Sequence, residues 1–598
     1  MTLFPRQFMS FRRTSAICFL LAAGCMPEGG TPVTPGTGGG SAGSSGSAGT
    51  GGTTGTGGDP AGAGGNAGNA ISTAGTGGSG VSTAGTGGAA AGIAGTAGST
   101  AGRGGQGGSA GAAGRGGTGG QGGMAGRGGQ GGSAGGAAGR GGTTGGAGTT
   151  GAAGAGAGDS YVSGVTVAVH AQTRTILVVT WTQAIAAEQT FLEFSFAGSS
   201  VMTSRAKAGA TGAHRDVVLG VPPSTAVTVR VVSRQGGVDY KTRDYMGTTG
   251  ALPTTMPLPT ILAYDATIAS PDRYMFGAVE NSDGGCTNTS CYYHTTFYLY
   301  IMDRQGRILW YYADAASNAT SSFQRIARDG EYIWIEKRPF SSGGTRSVLK
   351  MTLDREYSEM IAVPGLSDCI DVTTDGSLLY DASNELREMT RAGAIRTIWS
   401  CRTAFGTGFQ CYSNTINWNP ADDTVIMSFP DENTVAQINR ATGALVATYG
   451  DRAGSYTFSP TTWSFEFQHF PNITAAGTLI VSSHMPTPGD VDGTRPFANG
   501  SAFMEFTIDR TNRRLVEKWV YNDGNEWAMY KGMAIRLPNG NTLANYGTGG
   551  VIREITPDKR TAFHVKFDSP NGNDAFNKMV GNNVLINDLY ALNGGGPR

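Results

Sequence analysis

The chain reads as an all-β protein: a six-bladed β-propeller preceded by a small β-sandwich and a disordered Gly/Ala/Ser/Thr-rich segment. Three observations predict this. One phrase, an alternating strand followed by a short polar turn and a second strand, occurs six times between Asp303 and Thr556. A second series of apolar strands runs ahead of the first. A separate block of period-2 strands occupies residues 159–250.

The phrase first reads Tyr298-Leu299-Tyr300-Ile301-Met302-Asp303-Arg304-Gln305-Gly306-Arg307-Ile308-Leu309-Trp310. Taking Asp303, Thr352, Thr390, Asn439, Thr507 and Thr556 as anchors, the gaps are 49, 38, 49, 68 and 49 residues. A period of about 40–50 residues made of short strands is that of propeller blades. The second series lies at 274–276, 332–335, 378–380, 425–427, 479–481 and 542–544. Asp375-Gly376 and Asn539-Gly540-Asn541 supply tight reversals. A sandwich of many hairpins is the competing reading, but it has no need of six copies of one phrase.

At the front, residues 1–25 read as an export signal. Arg6, Arg12 and Arg13 form a basic region, and residues 16–23 form an apolar run too short to span a bilayer. Leu21-Ala22-Ala23-Gly24-Cys25 resembles the bacterial lipoprotein signal, which implies acylation of Cys25. Met26 stands where an aspartate would retain such a protein in the inner membrane, so the expected destination is the outer membrane, on its periplasmic or cell-surface face. An ordinary cleaved signal is the alternative.

Residues 26–158 lack the apolar bulk that would offset ordering entropy and read as a disordered tether. Arg103, Arg115, Arg127 and Arg140 recur within duplicated Arg-Gly-Gly phrases, without a collagen period. As a flexible chain the segment reaches about 60–70 Å.

Strands at 165–169, 176–181, 191–196, 217–219 and 227–232 build the sandwich. Thr180-Trp181 and the run from Gly220 to Arg230 resemble a fibronectin type III module. Its expected role is spacing or packing against the propeller. Residues 252–259 read as an extended linker, and the propeller follows over 260–598.

Formal charge is zero, 44 basic against 44 acidic side chains, so no basic stripe argues for nucleic acid. An exported chain meets an oxidising compartment, and Cys286 with Cys291 and Cys401 with Cys411 are the expected local disulfides. Cys369 is left as a buried thiol. No His or Cys cluster completes four zinc ligands, so no metal or cofactor is expected.

Three stretches resemble the bacterial arylsulfotransferase family, whose fold is a six-bladed propeller. They are residues 413–428 with Asn439-Arg440-Ala441-Thr442-Gly443, then Phe467-Gln468-His469-Phe470-Pro471-Asn472, and residues 533–543 closing with 553–558. The resemblance covers roughly 260–598 and implies sulfuryl transfer from an aryl sulfate to a phenol through a covalent histidine. A neutral imidazole is nucleophilic near neutral pH, and fixed cationic donors stabilise the oxygens of the transferred group. By this resemblance His469 stands at the nucleophile position.

Other family positions are changed. Tyr412, in Tyr412-Ser413-Asn414, replaces a histidine and brings no positive charge. Phe429-Pro430-Asp431 stands where an arginine is expected, and Asp368-Cys369-Ile370 where a histidine pair is expected. Asn414 is expected to pair with backbone at a blade mouth. His484 ends the strand after His469 and faces either the same mouth or a surface loop. Lys531 or Arg495 could replace the missing cation, though solvation is the favoured reading of each, and His294 reads as structural.

The sequence therefore leaves three functions. One is an anchored sulfotransferase-like enzyme, with His469 and at least one cation at one end of the channel. The second is a catalytically degenerate propeller that binds a small ligand, glycan or protein partner, with His469 alone among tyrosines and carboxylates. The third is a display protein with no deep pocket. The expected partners are phenolic or aryl sulfate molecules and a membrane held through the lipid anchor, and the chain is expected to be a monomer.

Overall fold

A computed structural model describes residues 156–282, 295–314, 319–320, 324–326, 330–339, 346–367, 369–459, 464–484, 500–524, 526, 528, 530–570 and 578–594. These fall within one compact unit. The signal, the tether up to residue 155, Cys25, Cys286, Cys291, His294, Asp368 and Arg495 lie outside the described residues, while the last tether residues are ordered, Ala157–Ser160 forming one turn of 3-10 helix.

Six sheets follow one another along the chain from Tyr274, each built mainly from consecutive antiparallel strands, with Thr457–Ser459 added in parallel at the edge of the fifth. In every sheet the two middle strands are the two series legible in the sequence. In blade 4, for example, Thr415–Asn419 is innermost, Thr424–Phe429 and Thr434–Asn439 form the middle, and Leu445–Gly450 is outermost. Innermost strands of successive blades touch: Ile370–Val372, Thr415–Asn419, His469–Ile473 and Met533–Arg536 form one continuous wall. This is a six-bladed propeller.

The ring is closed twice. The late strand Val584–Ile586 pairs with Tyr274–Ser282 and becomes the innermost strand of blade 1. At the other edge, Leu258–Tyr264 pairs with Thr561–Asp568 and adds a fifth, outer strand to blade 6. The end of the segment expected as a linker is thus part of a sheet. A mixed core unites the two blades across this joint: Met275, Tyr298 and Tyr300 of blade 1 pack with Leu543, Ile552 and Phe563 of blade 6.

The repeated phrase has a physical reason. Its anchor terminates a strand and its side chain accepts from the turn that follows. Asp303 Oδ1 accepts from Gln305 N and Arg307 N, both at 3.0 Å, around Gly306 at φ +79. Asn439 Oδ1 accepts from Thr442 N at 2.8 Å, and Thr556 Oγ1 from Arg560 N at 2.9 Å. The residue two places before the anchor is a second device. Glu388, Glu505 and Glu554 are buried there, and each reaches an arginine of the following blade: Arg440, Arg536 and Arg304 respectively.

The sandwich has the expected two layers. Val162–Val169, Leu177–Gln183 and Gly212–Val218 form one sheet, and Ala187–Phe196 pairs with Ala226–Gln235 at the centre of the other. It packs on the propeller instead of standing apart. Ile176, Val217 and Leu219 share one apolar cluster with Phe276, Leu299 and Trp310. Arg215 pairs with Asp354 at 2.9 Å, and Tyr590 donates to the Val217 carbonyl at 3.0 Å. Cys401 and Cys411 form the expected disulfide, and Cys369 is a buried thiol.

Candidate functional site

The innermost strands of blades 3 to 6 and the closing strand of blade 1 begin at one end of the ring, and the residues at those starts converge on one cavity. Cys369 comes from blade 3, Asn414 and Thr415 from blade 4, His469 and Phe470 from blade 5, Lys531 and Gly532 from blade 6, and Asn582 from the strand that closes blade 1. They surround a cavity of about 10 Å³, room for a single water.

His469 is held by its neighbours in sequence. Gln468 is fully buried, and its Nε2 donates to Ser428 Oγ at 3.2 Å and to the carbonyls of Phe429 and Thr434 at 3.1 Å. Asn414 Nδ2 donates to the Gln468 carbonyl at 2.9 Å, and Phe470 N donates to Thr415 Oγ1 at 3.1 Å. Phe467 and Phe470 both take left-handed backbone, φ +46 and +52. Such conformations cost on the order of 1–3 kcal/mol each and persist where surroundings enforce them. Blade 4 therefore fixes the residues on both sides of His469, which leaves its ring to face the axis.

Among the described residues neither ring nitrogen of His469 has a hydrogen-bond partner. The ring instead stacks on His484, centroids 5.0 Å apart and planes 8° from parallel. Burial holds the His469 imidazole well below the usual histidine range, and His484 and Lys531 add to the shift. It is neutral at pH 7. His484 Nε2 lies 2.9 Å from the Lys531 carbonyl, which can only accept, so that nitrogen carries hydrogen. Gly532, at φ +134, makes this approach possible: a Cβ there would lie 2.7 Å from Ser482 Oγ and 3.4 Å from His484 Nε2.

Lys531 is the cation of the site. It is 7% exposed, which corrects the expectation that it is solvated. Its ammonium pairs with the Glu280 carboxylate of blade 1 and lies 5.3 Å from the Phe297 ring centre. Burial pushes the Glu280 carboxyl up, and Lys531 pulls it back. Lysine sits at blade 6 and glutamate at blade 1, so this pair also spans the closure of the ring.

The predicted residues separate as follows. His469, His484 and Asn414 come together, and His484 is 2% exposed, so the surface-loop alternative fails. Asn414 pairs with backbone as expected. Tyr412 is half-buried and does not line the cavity. Cys369, Asn582 and Glu280 were missed as participants. For Cys369 and Asn582 the usable signal was position, since each precedes an innermost strand. Glu280 carries no such mark.

No family model matches the chain, and no curated protein matches it. Solved structures of propeller-like proteins do. A virginiamycin B lyase from Staphylococcus aureus is 10% identical, covering 55% of this chain and 100% of that one, with a TM-score of 0.31. A streptogramin B lyase is 14% identical over 56% and 100%, at 0.30. A 6-phosphogluconolactonase-like protein from Bacteroides fragilis is 13% identical over 64% and 98%, at 0.31. The propeller assignment rests on the strand order above.

Proposed function

We propose that the axial mouth is a sulfuryl-transfer site of the kind the arylsulfotransferase resemblance implies. The observation that carries it is the His469 imidazole, without a hydrogen-bond partner among the described residues and facing the cavity that Lys531 also lines. A nitrogen of His469 attacks the sulfur of an aryl sulfate, the N–S bond forms, and the bond from sulfur to the aryl oxygen breaks. The phenolate leaves and takes a proton from solvent. A second phenol then attacks the sulfur, losing its proton to solvent and releasing His469. Lys531 and Asn582 line the same cavity as His469, and we assign them to the charge that builds on the sulfuryl oxygens. Family positions changed to Tyr412 and to Phe429-Pro430-Asp431 put the whole burden of cationic stabilisation on Lys531.

A second reading has its own support. Glu280 already balances Lys531, and the cavity is water-sized. Both features suit a propeller that binds a ligand at the mouth without turnover. Turnover of an aryl sulfate with a phenol acceptor separates the two. For location, we read the chain as exported and held to a membrane through acylated Cys25, on the strength of the motif at residues 21–25.

A further inference from the structure

A second cleft of the propeller is not on the axis. It lies on blade 3, has a volume of about 400 Å³ and is bordered by Ser383, Asn384, Glu385, Arg387, Ser400 and Arg402. That volume is in the range of small-molecule sites. It opens on the same face as the axial mouth. Cys369, at the axis, starts the strand Ile370–Val372, which runs away from that face. Leu378–Ala382 returns to it, and Ser383 and Asn384 are the turn that follows. The strand Ile395–Ser400 ends there too.

The walls are rigid. Cys401 and Cys411 are joined, so the lip carrying Arg402 is a closed loop. Ser400 caps the short helix Cys401–Phe405 by accepting from Thr403 N. Phe405 and Phe409 pack against Phe429 beneath it, at 6.0 and 5.4 Å between ring centres. Arg402 Nη1 donates to the carbonyls of Thr407 at 2.7 Å and Phe409 at 3.0 Å. Its other edge, Nε and Nη2, has no hydrogen-bond partner among the described residues. Arg387 is held more fully, with Nε 2.8 Å and Nη2 2.7 Å from Glu385 Oε2 and the Tyr380 hydroxyl as a further hydrogen-bond partner.

Two guanidiniums and one carboxylate leave the cleft with a net positive charge of one. The rest of the lining is hydroxyl, amide, Gly365 and the methyl of Ala382, with no aromatic side chain. A flat apolar ligand has nothing to pack on. A planar guanidinium edge held in place suits a two-pronged oxyanion, and serines and an asparagine suit hydroxyls. We propose that this cleft is a second binding site, separate from the axial one, for a small hydroxylated molecule bearing a single oxyanion, such as a sugar acid or a sugar sulfate. The anion bridges Arg402 and Arg387, and the hydroxyls meet Ser383, Asn384 and Ser400. Glu385 competes with the ligand for Arg387 and sets the affinity.

Calorimetric titration of the full chain with glucuronate, glucose 6-sulfate and glucose tests this. Both anions should bind and neutral glucose should not. Arg402→Gln should weaken anion binding about tenfold or more, the loss of charge-assisted hydrogen bonds. Glu385→Gln should strengthen it, because Arg387 is released; a purely structural role for Glu385 would not give that sign. His469→Ala should leave binding unchanged, which keeps the result independent of the axial reading. Absence of binding by either anion, equal binding of glucose, or anion binding unaltered in both Arg402→Gln and Glu385→Gln would overturn the proposal.

Discussion

Arg304 and Glu554 tie blade 1 to blade 6 where the ring must close. Nη2 of Arg304 and Oε2 of Glu554 are 3.1 Å apart, and the side chains are 4% and 0% exposed. Arg304 also donates through Nε to the Asp272 carbonyl at 3.0 Å and stacks 5.0 Å from the Phe563 ring centre. Glu554 Oε1 accepts from Ser270 N at 2.5 Å and Asn541 Nδ2 at 2.7 Å. Arg304→Met keeps the stem that packs on Phe563 and strands a buried carboxylate. Removing one partner of a buried pair costs about 3–5 kcal/mol. Arg304→Met combined with Glu554→Gln removes both charges and keeps an acceptor for Ser270 N, so the double variant should recover about 2 kcal/mol or more of that loss. Urea unfolding followed by tryptophan fluorescence reads both numbers. A single variant within about 1 kcal/mol of the parent, or a double variant whose cost is the sum of the singles, would refute the view that this pair is a coupled latch.

Further outcomes follow from the axial site and the front of the chain. His469 has a folded pKa below its unfolded one, so the unfolded state takes up a proton first as pH falls through about 6.5. His564, pushed down to about 4 by burial and Arg553, acts with the same sign. Stability should therefore fall as pH drops below that range, and His469→Gln should flatten the slope in a series of urea titrations; an unchanged slope would remove His469 from the linkage. Gly532→Ala places a methyl group against Ser482 and His484 at φ +134 and should lower turnover at least tenfold, by displacing the histidine pair, while thermal unfolding shows a folded protein. Cys25→Ala should move the protein from the membrane to the soluble fraction and abolish labelling with a radioactive fatty acid; labelling that survives would contradict the lipid anchor.

Much of the fold was legible because its signals are local. Alternation at 425–427 and 435–438, with turn-forming anchors such as Asn439, requires only neighbours in sequence, and both strands form where expected. Innermost strands were less visible. Ile370–Val372 spans three residues and Val584–Ile586 another three, too short for a period to register, and the latter reaches blade 1 only through ring closure. The site divides in the same way. His469 was found through the motif around it, and the pairing of Asn414 with backbone was anticipated. Lys531 was assigned to solvent because a lysine after Tyr530 has no local reason to be buried. What buries it is Glu280, which is 251 residues away in the chain and meets it only when the ring closes.

Turnover of a chromogenic aryl sulfate with a phenol acceptor, by the parent protein and by His469→Ala, tests the central proposal most directly. Release of the chromophore in the parent and its loss in His469→Ala, with a sulfurylated His469 trapped by rapid quench in the absence of acceptor, is the expected result. A folded parent that releases no chromophore, or a His469→Ala protein that retains turnover, would contradict covalent transfer at the axis.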